Sequence, residues 1–283
     1  MMPDGAVSTD SVEDADFDLE LRLLLEAIHA KYCYDFRGYS FASMRRRMKQ
    51  VLTALGCDTL SQVQDRVLRD RRVFSEVLQL LTVPFSEMFR DPPYFLSIRE
   101  QVAPHLRTYP SIKVWIAGCS TGEELYSMAI LLAEEGLLDR SLIYATDVNP
   151  EALLAAERGV YAFEQVRSFS ANYQRSGGRR SLSDYYAAAY GGVAFDRSLR
   201  SRVVFADHSL ATDSVFAEVH LVSCRNVLIY FNRALQSRAV GLFRDSLVHM
   251  GFLGLGMRET LRFSEHAGAF LDFVPEHRIY RRR

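Results

Sequence analysis

Along the chain the apolar positions change their period. In FDLELRLLLEAIHAKY, Leu21, Leu24, Leu25 and Ile28 fall at i, i+3, i+4 and i+7, the stripe of an amphipathic helix. SFASMRRRMKQVLTAL, TLSQVQDRVL and RRVFSEVLQLL carry the same spacing onward, so a small all-helical amino-terminal domain is predicted over residues 16–82. Residues 83–110, with VPFSEMFRDPPYF, read as a connector. From residue 111 short apolar runs alternate with helical stretches: IKVWIAG with a helix at 123–135, SLIYATD with a helix at 150–158, then RVVFAD, VHLVSC, GFLGLG, AFLDFV and HRIYRR. Strands separated by helices imply a mostly parallel sheet covered on both faces, an α/β domain over 111–283. Residues 161–201, rich in Ser, Arg, Tyr and Gly, break this rhythm and read as an inserted loop with a small hairpin-bearing subdomain, or as a disordered insertion. Residues 1–15 are acidic and small and read as a disordered leader.

Composition changes this picture only at its edges. With 283 residues, 48% of them hydrophobic, the chain can bury a core for one large or two smaller domains. The net charge of −1 conceals an asymmetry, because seven acids and no base lie in residues 1–20. The remainder is mildly basic, too weakly for nucleic-acid binding by counterion release, but suitably for an acidic partner. Cys33, Cys57, Cys119 and Cys224 are scattered without a CxxC pair, which argues against a disulfide framework or a zinc site. With no basic-then-apolar leader and no run near the ~18 apolar residues of a membrane span, a cytoplasmic protein without membrane insertion is expected.

In an open parallel sheet, ligands bind beyond the carboxyl ends of the strands, so the residues just after each strand are the candidates. After the first comes Gly118-Cys119-Ser120-Thr121-Gly122-Glu123-Glu124. The glycines permit a tight turn and close backbone approach, while Ser120 with Glu123, or Thr121 with Glu124, has capping-box spacing. Two carboxylates at a helix amino terminus repel phosphate and favour ammonium or hydroxyl groups. Asp147, ending IYATD, is placed for ribose hydroxyls or for capping the helix near Pro150. ADHSL offers Asp207, Ser209 and Leu210 to an adenine edge. In SCRNVLIYF, Arg225 and Asn226 follow a strand directly, and a guanidinium there is costly to desolvate unless it meets an anion.

AGCSTGEELYSMAI, YATDVN, SCRNVLIYF and FRDPPYF, in their places along the chain, resemble the chemotaxis-receptor glutamate methyltransferase (CheR) family, from about residue 17 to the carboxyl terminus. The resemblance implies a class I, Rossmann-like methyltransferase domain behind a helical domain, S-adenosylmethionine as cofactor with S-adenosylhomocysteine as product, and methylation of glutamates on receptor cytoplasmic helices. It further implies Glu124 near the methionine amino group, Asp147 on the ribose, Ser209 and Leu210 along the adenosine, and Arg225 and Asn226 beside the methionine and reacting end. Arg90 would close over the cofactor, Tyr230 would face the transferred methyl, and Arg90, Arg225 and Tyr230 are the expected catalytic groups. Where much of the family has N-x-T-x-F-F-R, this chain has Pro84-Phe85-Ser86-Glu87-Met88-Phe89-Arg90, so Ser86 would replace a threonine hydroxyl; Ser209 stands where an asparagine is expected. Arg45, Arg46, Arg47 and Lys49 form a solvated basic face or dock the acidic receptor helix. The competing readings are a methyltransferase for another substrate and a catalytically weak S-adenosylmethionine-binding regulator.

Overall fold

The computed structural model describes residues 9–82 and 86–283, with side chains from Asp14 onward, and it divides into two compact units at Val83/Pro84. The first unit is four helices: α1 (Thr9–Tyr32), α2 (Phe41–Leu55), α3 (Leu60–Arg69) and α4 (Arg71–Leu81). The stripe predicted on α1 is buried, Leu21, Leu24, Leu25 and Ile28 packing with Met44 and Met48 of α2, Val63 and Val67 of α3, and Phe74 and Val77 of α4. Each such side chain contributes about 1.5–3 kcal/mol by leaving water. Thr59 and Asp70 cap α3 and α4, accepting from the amides of Gln62 and Arg72, and Gly56 ends α2 in the left-handed conformation.

Two expectations about this unit need correction. Residues 1–8 of the expected leader lie outside the described residues, but from Thr9 the chain is helical. Asp14 and Asp18 pair with Arg45 of α2, which gives the start of α1 a partner that composition alone does not reveal. The basic residues of α2 are also not one face. Arg47 is 2% exposed and donates to the Leu81 carbonyl, so it cannot dock a partner. Arg45 is held by the two aspartates, and Arg46 and Lys49 are the two of the four that lie exposed.

The second unit starts well before its sheet. The expected connector carries α5 (Pro92–Ser97), a π-helical turn (Ile98–Val102) and α6 (Ala103–Leu106). Pro92 and Pro93 occupy the first positions of α5, where the missing amide hydrogen costs nothing. Phe89, Phe95, Ile98, Val102 and Leu106 join the main core, so this stretch is part of the α/β unit and not a linker.

There follow β1 (Ile112–Ala117), α7 (Glu123–Glu134), β2 (Ser141–Asp147), α8 (Pro150–Arg158), β3 (Val160–Ala162), α9 (Val166–Arg175), β4 (Tyr186–Ala189), β5 (Gly192–Phe195), β6 (Val203–Asp207), β7 (Val219–Cys224), α10 (Arg233–Ser246), β8 (Leu247–Leu255), β9 (Phe270–Val274) and β10 (Ile279–Arg282). The seven-stranded sheet has the order β6-β2-β1-β7-β8-β10-β9. From β6 to β8 neighbours are parallel, and β10 runs antiparallel to both β8 and β9. The strand order reverses between β1 and β7, which opens a crevice at their carboxyl ends. The insertion is ordered as a three-stranded antiparallel sheet, β3-β5-β4, whose hairpin turns at Tyr190 and Gly191. Its root is tied to the end of α7, where Glu134 accepts from Tyr173 (2.5 Å), Tyr185 (3.0 Å) and Arg99 (2.7 Å), and Glu135 from Arg99 (3.0 Å) and Arg179 (2.7 Å).

Candidate active site

β1 is buried to its last residue, and the chain then turns through Gly118 (φ 73°), Ser120 (φ 51°) and Gly122 (φ 95°), all left-handed. A Cβ at Gly118 would stand 2.5 Å from Val227 Cγ2, so no side chain fits there. Neither expected capping box forms. Gly122 is the N-cap of α7, while Thr121 Oγ1 donates to both oxygens of Glu123 at 2.9 and 2.7 Å. Glu123 is 4% exposed, and burial pushes its carboxyl above the usual 4.5 although Thr121 and Ser86 hydrogen-bond to it. Ser86, expected at the cofactor, therefore has a protein partner in Glu123.

At the end of β2 the carboxylate of Asp147 accepts the Ser120 amide at 2.8 Å and the Asn149 amide at 2.9 Å. It does not cap α8; Asn149 Oδ1 does, accepting from Glu151 (3.0 Å) and Ala152 (3.4 Å). Burial raises the Asp147 carboxyl, and Asp207, its register partner on β6, adds repulsion. Asp207 is raised as well, by desolvation and by Asp213. Beyond β6 the Ser209 amide donates to Asp213 Oδ2 (2.9 Å), and its hydroxyl accepts from Ala211 N (3.2 Å). Leu210 is buried, and its carbonyl accepts from Arg238 Nη1 at 2.5 Å. This side of the crevice is a set of carboxylates and turns held by backbone amides.

The other side is held by charge. Arg225, its side chain 1% exposed, gives Nη1 to Glu124 Oε2 (3.2 Å) and Nη2 to Asp91 Oδ2 (2.9 Å) and the Arg90 carbonyl (2.6 Å). Its guanidinium lies over the ring of Tyr94 at 4.2 Å. Glu124 Oε1 accepts from Ser223 Oγ (2.6 Å), which in turn is 2.7 Å from the Tyr94 hydroxyl. Asp91 sits at φ 55° and Phe89 at φ 50°, a strained turn fixed by the bond from the Phe89 amide to Ser127 Oγ (2.8 Å). Arg225 thus meets anions, as its position demands, but both are the protein's own.

Asn226 follows at φ 60°, and Tyr230, half-buried, closes the 3-10 turn Leu228–Tyr230. Both belong to a turn built on a residue that strand-end reasoning passes over. Glu259, 4% exposed, accepts the amides of Gly256 (2.6 Å), Asn226 (3.0 Å) and Ile229 (3.3 Å), and burial still raises its carboxyl. Asp91, Tyr94 and Ser223 were missed in the same way; only the apolar-to-polar break in FRDPPYF marks the first two. Of the predicted residues, the structure joins Glu124, Arg225 and the Arg90 backbone directly, and places Asp147, Ser209, Leu210, Asn226 and Tyr230 around the same strand ends.

Residues 84–273 match the family described as CheR methyltransferase, SAM binding domain, and residues 19–82 the CheR methyltransferase all-alpha domain. The chain belongs to the CheR methyltransferase family. A Pseudomonas putida relative, Cher3, whose name calls it a methyltransferase, is 58% identical over 94% of this chain and 97% of its own length. Chemotaxis protein methyltransferase 1 of Pseudomonas aeruginosa is 28% identical over 89% of this chain and 92% of its own, and the Listeria innocua chemotaxis protein methyltransferase 29% over 80% and 84%.

S-adenosylmethionine is the cofactor of this CheR domain. The residues present fit it. Arg225 Nε is buried with no acceptor, a donor that a carboxylate would satisfy. Glu124 beside it suits an ammonium, and the raised carboxyls of Asp147 and Asp207 suit hydroxyl and amino donors, which relieve desolvation without adding charge.

Proposed function

We propose that this CheR-family methyltransferase esterifies glutamate side chains of a chemoreceptor or related signalling protein in the cytoplasm, giving glutamate methyl esters. The observation that carries the reading is the Arg225 cluster: a buried guanidinium with one donor to spare, set between two carboxylates beside the Asn226–Tyr230 turn. Relatives named as chemotaxis protein methyltransferases support the receptor as acceptor. When bound, S-adenosylmethionine supplies a methyl already activated by its sulfonium. A glutamate carboxylate is ionised at neutral pH, so no general base is required, and the work of the chain is alignment.

In this reading Glu124 holds the ammonium, Asp147 the ribose, Ser209 and Leu210 the adenosine, and Arg225 with Asn226 the methionine end. Ser86 acts through Glu123. Arg90 closes the crevice, and Tyr230 orients the acceptor. Among the described residues no helix is long and apolar enough to cross a membrane, which fits a substrate reached from the cytoplasm. Arg46 and Lys49 are the α2 cations left for an acidic partner.

The test is transfer of a labelled methyl from S-adenosylmethionine to the cytoplasmic region of candidate receptors, followed by base. Release of the label as volatile methanol is expected. A base-stable product would point to methylation of nitrogen and overturn the glutamate assignment.

A further inference from the structure

Glu259 does more than shape one turn. Its carboxylate takes the amides of Asn226 and Ile229 after β7 and of Gly256 after β8, so it welds the turn carrying Asn226 and Tyr230 to the loop 256–263. The two segments touch: a Cβ at Gly256 would lie 2.8 Å from the Asn226 amide and 2.9 Å from Asn226 Nδ2. What these welded segments present to solvent is unusual for a rim. Ile229 (38%), Met257 (40%) and Phe263 (63%) are exposed large apolar side chains. Between them stand Arg258 and Arg262, and Arg233, the first residue of α10, whose guanidinium lies 5.0 Å from the Phe263 ring. Arg99, Arg107, Arg179, Arg225 and Arg244 of this unit have carboxylate partners, while Arg140 and Arg238 are spent on backbone carbonyls. Among the described residues Arg233, Arg258 and Arg262 have no carboxylate partner.

We propose that this rim, Ile229, Met257 and Phe263 interleaved with Arg233, Arg258 and Arg262, is the docking surface for an acidic amphipathic helix that bears the acceptor glutamate. The inference rests on the glutamate reading above and names the surface on which the acceptor segment docks. Three exposed cations without a carboxylate partner, one of them resting on an aromatic ring, suit acids, and three exposed apolar groups suit a partner with an apolar stripe. An amphipathic helix with glutamates flanking that stripe supplies both. Because the weld runs through Glu259, a helix seated on the rim is held at a fixed height over the turn of Asn226 and Tyr230.

The full-length chain should be compared with Arg258→Glu/Arg262→Glu and with Phe263→Ser. The probe is a fluorescent helix-forming peptide with leucines at i, i+3, i+4 and i+7 flanked by glutamates. Anisotropy should show binding that weakens with salt, and roughly tenfold weaker binding with a flatter salt dependence for the charge-reversal variant. Phe263→Ser should weaken binding with its salt slope unchanged, and both variants should keep the parent affinity for S-adenosylmethionine by calorimetry. Peptide binding within about twofold of the parent in both variants, at matched cofactor affinity, would sink the proposal. Base-stable methylation with rim-dependent peptide binding would instead overturn the glutamate reading and leave the surface standing.

Discussion

The two sides of the crevice recognise by different means. Around Arg225 every partner is a side chain or carbonyl distant in sequence, two carboxylates share one cation, and the guanidinium itself is buried. Around Asp147 the partners are backbone amides of Ser120 and Asn149, one of them only two residues away, and among the described residues no cation is paired with the carboxylate. The first arrangement suits a zwitterion and the second suits neutral hydroxyls. A buried ion pair also has more to lose from one substitution than a carboxylate seated on backbone amides.

Replacing Arg225 by alanine should break this contrast most severely. Glu124 and Asp91 would lose their shared cation inside the protein, and loss of one partner of a buried ion pair costs about 3–5 kcal/mol. Chemical denaturation should show a drop of that size, together with loss of cofactor binding. Parent-like stability would mean that water already screens the cluster.

Asp147→Asn should behave oppositely. The amide can accept at one oxygen only, which forfeits one of the Ser120 and Asn149 bonds, but it also removes a carboxylate whose burial is already unfavourable. Stability should move by less than about 1 kcal/mol while cofactor affinity falls about tenfold, as titration calorimetry would show. A large stability loss with unchanged affinity would make Asp147 a structural brace alone.

The smallest effect belongs to Glu123. Burial holds its carboxyl above 4.5, so the ionised form weighs against the fold at neutral pH, and that penalty fades as pH falls through the raised value. Glu123→Gln should therefore melt within about 2 °C of the parent, with any advantage greatest near neutrality and gone in acid. An advantage that grew toward acid would contradict the assigned direction.

Much of this was legible in the sequence because it is local. Apolar runs located β1, β2, β6, β7 and β8, and an acid or arginine directly after a strand stood out as Glu124, Asp147 and Arg225. Long-range pairings were not legible. Nothing in SCRN announces that Ser223 bonds Glu124 99 residues away, or that Arg225 pairs with Asp91 across 134. Glu259 follows GLGMR, which has no strand-end signal beyond its glycines. The capping-box spacing misled because the left-handed Gly122 took the cap and Ser120 spent its amide on Asp147. The run Arg45–Lys49 misled because helical periodicity turns Arg47 inward while leaving Arg46 outward.

The residues ahead of β1 carry a consequence for exchange between relatives. Asp91 holds Arg225, and Tyr94 packs so closely on β8 that a Cβ at Gly254 would fall 2.1 Å from its hydroxyl. A chimera joined at Ile112, where the sheet begins, would graft a foreign lock onto this key. A viable crossover has to fall before Arg90, so that lock and key are inherited together.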